Sequence, residues 1–423
     1  MIVEIEALSY RCLRYVRQPM APFQVLIGPN ASGKSTFLDV VAFLADVVRE
    51  KEGVASAVAD RAPDVRDLVW MRRGDAFELA VEAAIPDLLR NRRNGAYSRV
   101  RYEVRVGVHV DSQEINLLSE TLWLRPDLAD NGEHTETQRT LFPMSPSPRE
   151  TIGISSGRKA PAGWRRVLNK VPDSGNDYFR SESSDWNNLF RLGPRRSALA
   201  NLPEDEEKFP VSIWFRRLLL EGVQRLALNS AALRRPSPPG SPRHFQPDGS
   251  NLPLVVNDLE ERAPERLQEW IAHLRTALPD LEGVRTVERP EDRHRYLVLD
   301  YSTGLHAPSW LVSDGTLRML ALTILAYTPR LEGIYLIEEP ENGIHPRAVE
   351  TVLQSLSSVY SAQMLLATHS PVILSLTEPD QVLCFNRTEQ GETDIVRGSA
   401  HPRLRQWRGE TDLGTLFASG VLG

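Results

Sequence analysis

Apolar residues in this chain first fall into two short runs. Ile2, Val3 and Ile5 open one, and Phe23 to Ile27 forms a second that leads straight into glycine; both read as strands. From Thr36 to Arg49 the spacing changes. Phe37, Val40, Val41, Leu44, Val47 and Val48 recur at helical intervals with no proline or glycine between them, which predicts a helix. Between Phe77 and Leu124 the segments FELAVEAAI, SRVRYEVRVGVHV and INLLSETLWL alternate apolar with polar positions. Alternation of that kind predicts antiparallel strands with one wet face.

Periodicity fades between about Arg125 and Gly193, where MSPSP, SSGRKAPAG and PDSGND supply turn residues, so loops or partial disorder are expected there. Helical spacing returns from Trp214 to Leu228, stops in RRPSPPGSPRHFQPDGSNLP, and resumes from Leu254 to Leu278. After His294 the pattern becomes strand, turn, helix, strand, helix, strand, the rhythm of a wound α/β sheet. IYLI and MLLAT within it are apolar without alternation, as buried parallel strands are. These shifts divide the chain into an N-terminal lobe (1–125), a loop-rich and helical insertion (126–257) and a C-terminal lobe (258–423).

Bulk properties narrow the field. A net charge of −6 argues against a surface that is wholly a nucleic-acid footprint, although a local basic groove is compatible with it. No apolar stretch approaches the length of a membrane span, and MIVEIEALSY lacks the basic start and apolar run of a secretion signal, so a cytoplasmic location and no membrane partner are expected. Cys12 and Cys384 are expected to be unpaired core residues. Five of the fifty basic residues are lysines, which makes Lys34 conspicuous.

Gly28-Pro29-Asn30-Ala31-Ser32-Gly33-Lys34-Ser35-Thr36 fits G-x-x-x-x-G-K-[ST] and lies between a predicted strand and a predicted helix. Glycines let backbone N–H groups close around phosphate, the helix start favours an anion, and the lysine reaches the outer phosphate oxygens. Ser35 is then the expected Mg²⁺ ligand. Ile334-Tyr335-Leu336-Ile337-Glu338-Glu339-Pro340 is an apolar strand that ends in two acids. Glu338 is assigned to the metal shell and Glu339 to orienting and polarising the attacking water.

Trp310-Leu311-Val312-Ser313-Asp314-Gly315-Thr316 runs into a helix with Ser313 as a natural N-cap. Taken alone, S-D-G needs no more than that. Ala367-Thr368-His369-Ser370-Pro371 again ends an apolar strand, where His369 can hydrogen-bond a γ-phosphate. The order of the four segments, and not any one of them, points to phosphate chemistry.

In order and wording, GPNASGKST, LVSDGTLR, YLIEEPENGIHP and ATHSP resemble the ABC-class ATPases of the SMC/RecF group. The resemblance is greatest to stand-alone prokaryotic AAA-type ATPases of anti-phage defence loci, OLD-like but without a nuclease domain. It covers residues 1 to about 50 and about 300 to 423. It implies an α/β fold: a P-loop NTPase head with a mixed main sheet, an antiparallel side sheet and a helical or loop insertion. It also implies ATP and Mg²⁺ as ligands and a composite site. Lys34, Ser35, Glu338, Glu339 and His369 would act in one head, and Ser313 and Gly315 would reach the same γ-phosphate from a second, with Asn342 in the stretch linking the two.

Three departures stand out. The signature reads S-D-G where transporters have S-G-G, Glu338 stands where aspartate is usual, and Val65 to Asp75 contains no glutamine for the loop that normally links the metal to the helical lobe. Tyr10-Arg11 lies where relatives contact the base, but early strand residues are more often sheet surface. Turn chemistry accounts for Asp248-Gly249-Ser250-Asn251-Leu252. The run Arg90, Arg92, Arg93, Arg99, Arg101 and Arg105 reads as a solvated strand face.

The expected activity is ATP hydrolysis by heads that self-associate around ATP and control a separate effector in anti-phage defence. That effector would be a co-encoded nuclease or Toprim-like protein, since nothing after the histidine motif resembles a nuclease; residues 380–397 read as two short strands. A RecF-like DNA-binding repair ATPase is the alternative, and a transporter engine fits least.

Overall fold

The computed structural model describes residues 1–49, 53–91, 96–109, 112–126, 150–154, 160–171 and 176–401. Contacts group the chain into two compact units: Met1–Met20, Thr36–Val223 and Arg387–Ile395 in the first, Ala21–Ser35, Gln224–Asn386 and Val396–Gly423 in the second. Each unit draws on stretches far apart in sequence.

The first unit is built on an eight-stranded antiparallel sheet. In spatial order its strands are Leu13–Pro19, Ile2–Tyr10, Ala76–Ala84, Arg99–Val108, Ile115–Arg125, Arg165–Lys170, Tyr178–Arg180 and Asn187–Leu189. The three alternating segments are adjacent strands, as expected. The expected wet face is instead buried. Glu6, Glu82 and Glu103 surround Arg101, whose own side chain is 5% exposed. Residues 150–154 lie over this face: Ile152 N–H donates to Glu78, Ile154 N–H donates to Glu103, and Arg101 donates to the Ile152 carbonyl. Arg101 therefore neutralises buried acids and does not belong to a solvated face. Within the stretch expected to be loop, the described residues form three further strands of this sheet; 127–149, 155–159 and 172–175 lie outside the described residues, as do Arg92 and Arg93.

Tyr10 is fully buried and its hydroxyl donates to Asp39 at 2.6 Å, so it packs the interior of this unit. Asp39 belongs to the helix Lys34–Arg49, which forms where the apolar spacing predicts it.

The second unit centres on a six-stranded sheet in the order Val223–Leu226, Ile334–Glu338, Gln363–Ala367, Phe23–Ile27, Val382–Arg387 and Thr393–Arg397, whose four strands from Ile334–Glu338 to Val382–Arg387 pair in parallel. Its central strands are buried and, apart from Gln24 and Gln363, mostly apolar, with helices such as Asp314–Thr323 and Pro346–Ser357 packed in the same core. A three-stranded antiparallel sheet follows from Leu281 to Pro308. Two helical expectations change in detail. The helix from Trp214 is Pro210–Arg217, followed by one π-turn and then the Val223–Leu226 strand. Pro264 divides the later one into Leu252–Arg262 and Pro264–Leu274 by removing a backbone donor. Asp248 accepts from Ser250 N–H, and buried Asn251 donates to the Pro242 and His244 carbonyls, which is turn chemistry as expected. Among the described residues no helix is long and apolar enough to cross a membrane.

Candidate active site

Parallel pairing decides which residues meet. Leu26 is level with Ala367 and Ala367 with Glu338, so the strands Phe23–Ile27, Gln363–Ala367 and Ile334–Glu338 end together. Gly28 to Lys34, Glu338-Glu339 and Thr368-His369 all emerge at that one edge, the carboxyl ends of a parallel sheet, where ligands bind in such folds.

The loop after Phe23–Ile27 requires its first glycine. Gly28 has φ +148°, and a Cβ there would lie 2.2 Å from the Phe385 carbonyl oxygen. Asn30 and Ala31 are exposed, while Ser32 and Gly33 are buried beneath them. Lys34 is 6% exposed and its Nζ donates to the carbonyls of Gly28 at 2.8 Å and Pro29 at 3.0 Å. Burial lowers its pKa to about 8, against the opposing pull of the Glu339 and Glu338 carboxylates. A buried ammonium resting on two neutral carbonyls is poorly compensated, and an incoming anion would stabilise its charge.

Ser35 donates its hydroxyl to Glu338 Oε2 at 2.5 Å. A hydroxyl and a carboxylate this close form the kind of all-oxygen set that suits a hard divalent cation, so the residues fit Mg²⁺. Thr36 is half-buried one residue further into the helix. Glu339 adopts φ +48°, uncommon for a residue with a side chain, and its N–H donates to the Ala367 carbonyl at 2.8 Å. This contact ties the acidic turn to the strand that carries the histidine.

His369 is held below its ordinary pKa, first by burial and then by the charge of Lys34; Glu339, Glu341 and a hydrogen bond with the Gly28 backbone pull the other way. Glu341, which the sequence reading passed over, organises this loop. Its Oε1 accepts from the Thr368 hydroxyl at 2.6 Å and from His369 N–H at 3.3 Å. The third acid in Glu338-Glu339-Pro340-Glu341 was the available signal.

Ser313 caps its helix, its Oγ accepting from Thr316 N–H at 3.2 Å. Its neighbour Asp314 is clamped by Arg234, 2.6 Å away, which also donates to the Val312 carbonyl. An aspartate in S-D-G thus has a structural partner. Gly315 is needed for contact: a Cβ there would lie 2.4 Å from the Gly343 carbonyl oxygen. The signature turn therefore rests on the stretch Asn342-Gly343 that follows Glu339, and the Asn342 N–H donates back to the Glu339 carbonyl at 2.9 Å. The hydrogen bonds of Ser313 stay within its own helix start.

Known proteins resemble this chain in both sequence and fold. A family model described as "AAA domain, putative AbiEii toxin, Type IV TA system" matches residues 23–375. A curated relative, "Retron Vc95 probable ATPase" of Vibrio cholerae serotype O1 biovar El Tor, is 26% identical over 130 residues, which cover 27% of this chain and 24% of the relative. The match thus spans about a quarter of that relative's length. Among solved structures, the Smc head bound to the C-terminal winged-helix domain of ScpA superposes with a TM-score of 0.50 at 14% identity, over 93% of this chain and 96% of that one. At that identity the likeness speaks for the fold, an ABC/SMC-type P-loop head.

Proposed function

The chain belongs to the AAA-domain family that spans its residues 23–375, and on that premise we propose that it is a Mg²⁺-dependent ATPase whose heads pair around ATP. The observation that carries this reading is the convergence of Lys34, Ser35, Glu338, Glu339 and His369 at the ends of three adjacent parallel strands. On ATP binding, Lys34 leaves the Gly28 and Pro29 carbonyls for the outer phosphates, while the backbone of Gly28, Asn30, Ala31, Ser32 and Gly33 encloses them. Ser35 and Glu338 would hold the metal, and Thr36 lies in the first turn of the helix whose positive end faces the anion. A divalent cation held by these two residues would supply positive charge against the negative charge of the phosphates. Glu339 orients and deprotonates the attacking water, and neutral His369 donates a hydrogen bond to the γ-phosphate.

Ser313 and Gly315 complete the site from a second copy. ATP-dependent closure then holds or releases a co-encoded effector in anti-phage defence inside the cell; differential affinity in the two states is the physical route to such coupling. The family description and the retron relative support the defence setting, and the partner-bound Smc head supports a head that carries other proteins.

Phosphate release by mixed variants tests the composite site. Ser313→Arg and Lys34→Ala proteins should each be inactive alone. Mixed, they should regain part of the wild-type rate, because one of the two sites in a heterodimer is intact. Mixtures that associate but stay inactive would place a complete site within one chain.

A further inference from the structure

Glu338 is one methylene longer than the aspartate usual at its position, and a longer half-exposed side chain has more rotamers to lose when it binds a metal. In this chain both of its oxygens are already engaged, each by a different residue. Oε2 accepts from Ser35, the other proposed metal ligand, and Oε1 accepts from Arg225 Nη2 at 2.9 Å. Arg225 lies on Val223–Leu226, the strand bordering the acidic strand, 113 positions from Glu338 in sequence.

The Arg225 side chain is 58% exposed and that of Glu338 33%, so this pair is a weak source of fold stability. Its geometry is more informative than its energy. The oxygen facing Ser35 is the one able to share a cation with that hydroxyl, and the arginine occupies the other. With Ser35 and Glu338 taken as the metal ligands proposed above, we infer that Arg225 is a positioning residue that fixes the long Glu338 carboxylate in its metal-ligating orientation. Groups that orient a ligand in this way are part of a metal site even though they never touch the ion. The guanidinium also repels a cation, but across a solvent-exposed gap that repulsion is screened, and the ordering of Glu338 outweighs it.

Mn²⁺ serves as the probe, titrated into the full chain with a non-hydrolysable ATP analogue while free Mn²⁺ is followed by electron paramagnetic resonance. Arg225→Ala should weaken Mn²⁺ binding by about tenfold. In the Glu338→Asp background, where the shorter side chain no longer meets the arginine, the same change should alter affinity by less than about twofold. Tighter or unchanged Mn²⁺ binding by Arg225→Ala overturns the inference, as does an equal loss in both backgrounds, which would mark an effect that does not pass through Glu338. Ser35→Ala and Glu338→Ala separate this failure from failure of the underlying site. If both leave Mn²⁺ affinity at the wild-type value, Glu338 is no metal ligand and there is no ligand for Arg225 to position.

Discussion

Two clusters of acids in this molecule face opposite demands. On the antiparallel sheet, Glu6, Glu82 and Glu103 are buried with Arg101, and backbone N–H groups of residues 150–154 supply further bonds. At the end of the parallel sheet, Glu338 and Glu339 lie near a buried lysine that rests on carbonyls and forms no direct bond to either acid. In the first cluster the charges are closed by partners within the chain, and the arginine is held firmly protonated by the acids around it. In the second the lysine loses basicity. A cluster whose charges are internally matched is a structural device, whereas one that leaves a buried cation short of an anion is prepared for a ligand.

Removing the central cation from each cluster should therefore have different consequences. Arg101→Met leaves four buried carboxylates, Glu4, Glu6, Glu82 and Glu103, without their shared partner and should lower the unfolding free energy by about 3–5 kcal/mol. Lys34→Ala, which removes an ammonium that burial already disfavours, should not lower the denaturation midpoint while nucleotide binding is lost. Urea titration alongside nucleotide titration checks both. A stable Arg101→Met protein would show that water reaches this face after all.

The second test stays within the open cluster and separates binding from turnover. Glu339→Gln keeps the shape of the acid but cannot accept a proton, so phosphate release should fall by about 10²–10³-fold while ATP affinity stays within about threefold. Turnover at the wild-type rate would remove Glu339 from the role of base.

The same contrast explains what could be read from the sequence. The phosphate loop, the acidic strand and the histidine strand were legible because each couples a local apolar run to a local motif, and parallel pairing then brings them together. The side sheet was legible as strands but not as a buried face. Alternating Glu and Arg look solvated until residues 150–154 cover them, and nothing in the strands announces that cover. Arg225 was placed on a helix expected to run to Leu228, whereas the π-turn at Leu218–Gly222 ends that helix and a strand follows. Its partner lies over a hundred positions away, as does any signal for the contact. Arg234, which clamps Asp314, was hidden for the same reason.

The smallest predicted effect is also the most specific to Lys34. Its pKa of about 8 in the nucleotide-free chain means that below pH 8 the protonated form is favoured but badly solvated. Relative to an unfolded lysine at 10.5, this shift opposes folding below the folded pKa, and the penalty is relieved as pH rises from about 8 toward 10.5. Phosphate contact raises the pKa again, so ATP binding near pH 8 must take up protons, about half a proton per site if the bound lysine is fully charged. Affinity should change by only about twofold between pH 7 and 8, then fall more steeply, approaching tenfold per unit, until the pKa of the bound state is reached. Calorimetry at pH 8 in two buffers of different ionisation enthalpy measures the uptake directly, at a pH where the γ-phosphate of free ATP is already ionised. Lys34→Arg supplies the control, because a guanidinium remains charged throughout this range and has no proton to gain. Equal uptake by the wild type and Lys34→Arg would assign the proton to another group and leave Lys34 charged in the empty loop.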